Sequence, residues 1–133
     1  MMLPLILAAT VALATPCPSD PLLTNPRLKV VRARDKTLDN YVVTLDVTNR
    51  GAAAQAPGIV QRLELLQNRQ VIGTQPIPPL AAHETYPAAF RLQLAHKKKH
   101  PPLVVAFRYV PSGASASRGN CDAANDTLNA TLH

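Results

Sequence analysis

Residues 40–49 read NYVVTLDVTN, and this stretch decides the fold class. Every second residue from Tyr41 to Val47 is apolar, and most of the residues between them are polar. A period of two places the apolar side chains on one face of an extended chain, which is typical of a half-buried β-strand. The triplet Asn49-Arg50-Gly51 then ends the run, so the sequence predicts a strand followed by a turn.

The same alternation recurs at residues 85–94, and residues 103–110 are apolar on both faces, which is typical of a central strand. Shorter extended segments are predicted at residues 27–33, 59–66, 71–74 and 127–132. The 13 prolines interrupt long helices. We therefore predict an all-β fold, an antiparallel immunoglobulin- or fibronectin-III-like β-sandwich of about seven strands. Its predicted core is Leu28, Val30, Tyr41, Val43, Leu45, Val47, Ile59, Leu63, Leu65, Phe90, Leu92, Val105, Phe107 and Leu128.

The first 14 residues, MMLPLILAATVALA, carry no charge and are dominated by Leu, Ala, Ile and Val. The run is shorter than the roughly 20 apolar residues of a membrane span and ends in a small-x-small pattern, so we predict a secretory signal peptide. The alternative is a buried N-terminal strand or helix. Residues 15–133 then form one domain, periplasmic or secreted, with no transmembrane segment in the mature chain.

Cys17 and Cys121 are the only cysteines. In an oxidising compartment an even pair usually bridges, so we predict a disulfide between them that ties the N-terminus to a loop near the C-terminus. A redox pair is disfavoured because reactive cysteines usually lie close in sequence. A lipid anchor on Cys17 is disfavoured by Pro16, which precedes it.

The formal net charge is +6, and basic residues cluster in two places. Lys97, Lys98 and Lys99 lie in a turn between two predicted strands, and Arg32 and Arg34 lie at the end of the first strand. We predict that these residues contact an anionic polysaccharide, a lipid surface or a partner protein. Ordinary solubility is the alternative explanation. Nucleic acid is disfavoured by export and by an aromatic content of only 4%.

Sites for metals and catalysis are weakly indicated. His96 and His100 are four residues apart, but three lysines between them repel a cation. Asp122, Asn125 and Asp126 offer oxygen ligands for Ca²⁺ and equally serve as turn-capping residues. No nucleophile or phosphate-loop motif is present, so we predict no cofactor, no metal and no enzymatic activity. A small hydrolase would require His83 or His96 to meet a carboxylate.

Three segments resemble the bacterial CARDB domain, an immunoglobulin-like module related to cell adhesion, from about residue 28 onward. They are the pattern VxLxVxNxG at residues 43–51, the "leucine, small, acidic, then alternating strand" segment at residues 77–90, and the pattern DxxNDTL at residues 122–128. The resemblance implies an immunoglobulin-like fold and extracytoplasmic binding or adhesion, without catalysis.

The sequence thus predicts an exported, non-catalytic binding or adhesion module whose partner is another envelope or extracellular protein. Contact is expected through loop tips or an edge strand, either residues 27–33 or the segment near Val71. The alternatives are a basic surface that binds anionic envelope polymers or lipids, and a small hydrolase.

Overall fold

The computed structural model describes residues 19–32, 37–112 and 126–133, which form seven strands in two sheets. The strands are β1 (Pro21–Arg32), β2 (Leu38–Asn49), β3 (Val60–Gln67), β4 (Gln70–Ile77), β5 (Thr85–Ala95), β6 (Leu103–Ser112) and β7 (Thr127–Leu132). One sheet has the order β1-β2-β5 and the other β4-β3-β6-β7, and every pairing is antiparallel. The predicted all-β, immunoglobulin- or fibronectin-III-like sandwich is confirmed.

The alternation in β2 places its odd-numbered residues between the two sheets. Val43, Leu45 and Val47 are completely buried, and Tyr41 is 4% exposed. Across the interior, Phe90 of β5 faces Phe107 of β6 with ring centroids 6.2 Å apart. Burying each such side chain contributes about 1.5–3 kcal/mol, so this layer supplies the main apolar stabilisation of the sandwich.

The predicted core is correct at its centre and less so at its margins. Leu28, Leu92 and Leu128 pack against the core but are only partly buried, and Val30 and Ile59 are half-buried. The prediction also missed several buried residues, of which Ile77, Leu103 and Leu132 end or begin a strand and Leu80 lies in a loop. The others are Leu23, Ala88 and Tyr109.

The first strand begins at Pro21, six residues before the predicted start. Its register shifts between Thr24 and Arg27, where Asn25 has a φ of 56° and therefore a left-handed backbone. Such a bulge interrupts the sequence pattern without ending the strand. Pro76 of β4 and Pro87 of β5 also lie within strands. β1, β4 and β5 are all sheet edges, where a missing N–H group is tolerated.

β3 and β4 form the predicted hairpin through a tight turn at Asn68 and Arg69, with φ values of 52° and 66°. Two consecutive positive φ values are characteristic of the type I′ turn, whose twist suits a hairpin. On the return strand, a Cβ atom added at Gly73 would lie 3.0 Å from Phe90 Cδ1. The lack of a side chain at this position lets β4 approach the core.

Asn49, which ends β2, is completely buried and organises the loops around it. Its Oδ1 accepts hydrogen bonds from the backbone N–H groups of Asp20 and Gly51, each at 3.0 Å. Its Nδ2 donates to the carbonyl oxygens of Ala53 at 2.9 Å and Ala81 at 3.2 Å. One amide side chain therefore joins the start of β1 to the loop between β2 and β3 and to the loop between β4 and β5.

A second buried amide cluster fixes the long connections at the same end of the sandwich. The side chains of Gln55 and Gln61 exchange two hydrogen bonds of 3.0 and 2.7 Å, and Leu80 N–H donates to Gln55 Oε1 at 2.9 Å. The Tyr109 hydroxyl donates to Gln61 Oε1. Burial raises the pKa of Tyr109 to about 12, so its hydroxyl keeps the proton that this hydrogen bond requires.

Candidate binding surfaces

The lysine turn, residues 96–100, connects β5 to β6 and is the most basic exposed segment of the described chain. Lys97, Lys98 and Lys99 are all exposed. Arg32, also exposed, lies at the same end of the sandwich, because it pairs with Asp39 of β2 and Asp39 in turn pairs with Leu94 of β5. Two strand spacings of about 4.8 Å therefore separate β1 from β5 at this end.

Beneath the lysine turn lies a polar cluster that was not predicted. Asp39 is completely buried, and its two carboxylate oxygens lie 3.0 and 2.9 Å from His96 Nδ1. His100 Nε2 lies 3.7 Å from Asp39 Oδ2, and His100 Nδ1 lies 2.7 Å from the Tyr41 hydroxyl. The two histidines flank the three lysines, so both ends of the lysine turn are held on one carboxylate. We call Asp39, His96, His100 and Tyr41 the carboxylate clamp.

The alternation of β2 explains why this carboxylate is buried. Asp39 and Asn49 share the odd-numbered, inward-facing parity of Tyr41 to Val47, one at each end of the strand. A buried charge is costly unless polar groups contact it, and the two histidines supply that contact. Extending the period of two beyond the apolar run would have identified both residues as inward-facing polar groups.

Tyr41 reports the electrostatics of this cluster. Its burial, together with the nearby Asp39 carboxylate, raises the pKa of its hydroxyl above the ordinary value of 10.0. The ring of His100 also packs edge-on against that of Tyr41, with centroids 5.6 Å apart. The hydroxyl therefore remains protonated next to an imidazole nitrogen, and the ring contact fixes the orientation of His100.

The two histidines that a hydrolase would use are placed very differently. His96 meets the Asp39 carboxylate, which is the pairing that orients a general base in many hydrolases. His83 lies at the opposite end of the sandwich with a φ of 64°, and its backbone N–H donates to the carbonyl of Asn49 at 2.7 Å. Its side chain is exposed.

Large apolar side chains are exposed at several positions. Val31 is 45% exposed and Leu38 is 36% exposed, and both lie beside Arg32 and the lysine turn. Val71 is 45% exposed on β4, and Val104 is 63% exposed on β6. The end of the sandwich that carries the lysines therefore combines positive charge with apolar surface.

Both expected edge strands are edges in the structure. β1 carries Arg27, Lys29 and Arg32 along its length, and Arg27 forms an ion pair with Asp46 of β2 at 2.9 Å. β4, which contains Val71, ends the other sheet and has no ionisable side chain. Charged edges resist pairing with another strand, so β4 is the more open of the two.

The outer face of the four-stranded sheet carries a compact charged group. Glu64, with a side chain only 9% exposed, accepts two hydrogen bonds from Arg108, at 2.9 and 2.7 Å, and lies 3.6 Å from Arg62. A shallow depression of about 770 Å³ beside it is lined in part by Arg108, Val104 and Thr131. The carboxylate neutralises much of the positive charge on this face, which distinguishes it from the lysine turn.

Several predicted features lie outside the described residues: the signal segment, Cys17, Cys121, Arg34, Asp122 and Asn125. Asp126 is described and half-buried, and its carbonyl accepts a hydrogen bond from Tyr109 N–H at 2.7 Å. Within the described ranges, no group of three His, Cys, Asp or Glu side chains is arranged to hold a metal ion. Over the same ranges, no helix has the length and apolar character needed to cross a membrane.

Comparisons with known proteins give a structural likeness. No protein-family model matches the chain, and no curated protein matches it. Among solved structures, the chain is similar to the CARDB domain of a Pyrococcus furiosus protein, described as a complex with di-metal ions. The two share 15% sequence identity over 86% of this chain and 90% of that one, with a TM-score of 0.47. This is the family that the sequence resembles, and the metal ions belong to that protein.

Proposed function

We propose that the chain is an exported, non-catalytic binding module that contacts another envelope or extracellular protein through the open edge of β4. The observation that carries this proposal is the edge itself: β4 pairs with β3 on one side and ends its sheet on the other. The free backbone groups of such an edge can pair with an added strand, while alternate side chains provide specificity.

The other edges are less suited to strand addition. The basic side chains of β1 discourage pairing, and β5 carries the charged Arg91. Pro87 of β5 does not distinguish it from β4, which carries Pro76. β7 is uncharged but only six residues long, against eight in β4. Val71, 45% exposed, offers an apolar contact close to the tight turn.

Strand addition can be tested with Val71→Lys, which places a charge on the edge. We expect this variant to lose its envelope partner in a pull-down while keeping the fold, because position 71 is exposed. Val104→Lys is the matched control, since Val104 is still more exposed but lies on the central strand β6. Equal recovery of the partner by both variants would refute docking at β4.

A second candidate function, binding of an anionic surface, is favoured by one observation. The structure brings the lysine turn and Arg32 to the same end of the sandwich. If this end binds acidic headgroups or polymers, binding should weaken as salt rises, because exposed charges are screened beyond about 10 Å at 0.1 M salt. Lys98→Gln should weaken it further, whereas Lys29→Gln, in the middle of β1, should not. Binding that is insensitive to both salt and Lys98→Gln would exclude this candidate.

The non-catalytic character is also a proposal, because His96 and Asp39 form the pair that a small hydrolase would need. We propose that the pair holds the lysine turn in place. Hydrolysis of simple ester, peptide or glycoside substrates should therefore be unchanged by His96→Gln. An activity that is present in the wild type and lost in this variant would establish the hydrolase instead.

A further inference from the structure

The carboxylate clamp and the lysine turn belong to one unit. Within the clamp, Asp39 contacts His96 and His100, and the three lysines between the histidines are left exposed. The backbone adds a further tie, since His96 N–H donates to the carbonyl of Thr37 at 3.0 Å. The lysines are therefore presented on a short loop that is fastened at both ends, which lowers the entropy lost when they bind a ligand.

We propose that Asp39, His96 and His100 make binding of the lysine turn to an anionic lipid surface tighten as the pH falls. This inference rests on the second candidate function above. A lipid surface is favoured over a soluble polyanion because Val31 and Leu38, 45% and 36% exposed, lie beside the basic residues. A combination of apolar and basic side chains is what an anionic membrane interface binds.

Protonation acts on this unit in two ways. Histidine side chains change charge between about pH 5 and 8, so acidification adds positive charge to the turn itself. It also converts the contacts of His96 and His100 with Asp39 into ion pairs. The hydrogen bond between His96 and Asp39 becomes charge-assisted, and such bonds are roughly twice as strong as neutral ones. Both effects favour binding to an anionic surface, the first by attraction and the second by holding the turn in place.

The surrounding groups leave the sign of this effect unchanged. From β2 the histidines face Asp39 and the Tyr41 hydroxyl, and from β1 the nearest charged residue at this end is Arg32. The turn itself contributes the three lysines. Asp39 is the one acidic residue that contacts the histidines within the described ranges.

The test is sedimentation with phosphatidylcholine vesicles, with and without phosphatidylglycerol, at about pH 8 and about pH 5.5. Each charge near an anionic surface tightens binding about fivefold, so the two histidines should give roughly a 25-fold gain on acidification. We expect His96→Gln/His100→Gln to lose this gain. His83→Asn removes a histidine from the opposite end at a position with positive φ, which Asn tolerates, and should keep the gain.

Four results would overturn the proposal, each in a different way. If the double variant keeps the wild-type gain, the histidines are not responsible for the pH dependence. If the wild type binds an acidic polysaccharide but no vesicles at either pH, the lipid assignment is wrong. If it binds neither the polysaccharide nor the vesicles, the second candidate function is refuted as well. A measurement without vesicles tests whether the carboxylate clamp holds the lysine turn in place. The NMR order parameters of the Lys97, Lys98 and Lys99 amides should fall in Asp39→Asn. Unchanged order parameters would refute this role of the clamp.

Discussion

Replacing Asn49 by alanine should strongly destabilise the sandwich. The side chain is fully buried and makes four hydrogen bonds of 2.9–3.2 Å with backbone groups, plus a longer contact of 3.4 Å to the Leu80 carbonyl. A hydrogen bond contributes about 1 kcal/mol, and a buried group left without a partner costs more. The expected loss is therefore about 4 kcal/mol, a large part of the 5–15 kcal/mol typical of a domain.

Asn49→Asp gives a sharper version of the same prediction, because the shape of the side chain is kept. A carboxylate still accepts from Asp20 and Gly51 but cannot donate to Ala53 and Ala81, and it buries a charge. Its loss of stability should shrink as the pH falls, since protonation restores one donor. Asn49→Ala has no such group, so its stability difference from the wild type should stay constant over the same range.

Urea unfolding followed by far-ultraviolet circular dichroism measures both changes. Asn40→Asp is the matched control, because Asn40 lies on the outward parity of the same strand and its bond to Gln93 is exposed. We expect the control to lose less than about 0.5 kcal/mol. If Asn49→Ala unfolds within that margin of the wild type, the reasoning about this junction is refuted.

Further outcomes follow from other parts of the molecule. Folding raises the pKa of Tyr109 to about 12, so its contribution to the free energy of unfolding is complete below about pH 10 and is lost as the pH rises to about 12. Tyr109→Phe should remove about 3 kcal/mol of this fall. An identical fall in the variant would contradict the assignment. Glu64→Gln should lower the free energy of unfolding by about 1 kcal/mol, an estimate reduced because Arg108 is 46% exposed; an unchanged urea midpoint would show that the ion pair contributes nothing. Mass spectrometry of the exported chain should find a start at Thr15. Because we expect a Cys17–Cys121 bridge, the mass should be two hydrogens below that of the reduced protein. Reaction of either cysteine with iodoacetamide before reduction would contradict the bridge.

Where the apolar alternation is strong, the sequence predicts the fold well. The central strand β2 lies where residues 40–49 placed it, β6 is central as its two apolar faces indicated, and the segment near Val71 is an edge. The start of β1 was missed because Asn25 and the prolines on either side of it break the pattern. An edge strand with a bulge accommodates these residues, and single-sequence periodicity does not register that tolerance.

The candidate site was only partly predictable, because its geometry depends on long-range pairing. The sequence identified the lysines and Arg32 as basic groups, and the strand register brings them to one end of the sandwich. It did not reveal that Asp39 meets His96, from which it is separated by 57 positions. The contact arises because β2 and β5 pair antiparallel over their full lengths, so the start of one lies beside the end of the other.

The central claim is that this domain binds another envelope protein through the open edge of β4, and site-specific crosslinking tests it most directly. A photo-crosslinking amino acid placed at Val71 is activated in the native envelope, with the same group at Val104 as the comparison, and the products are identified by mass spectrometry. The proposal predicts one reproducible protein partner joined at position 71 and absent at position 104. A position 71 that yields no product beyond those found at position 104 would contradict it.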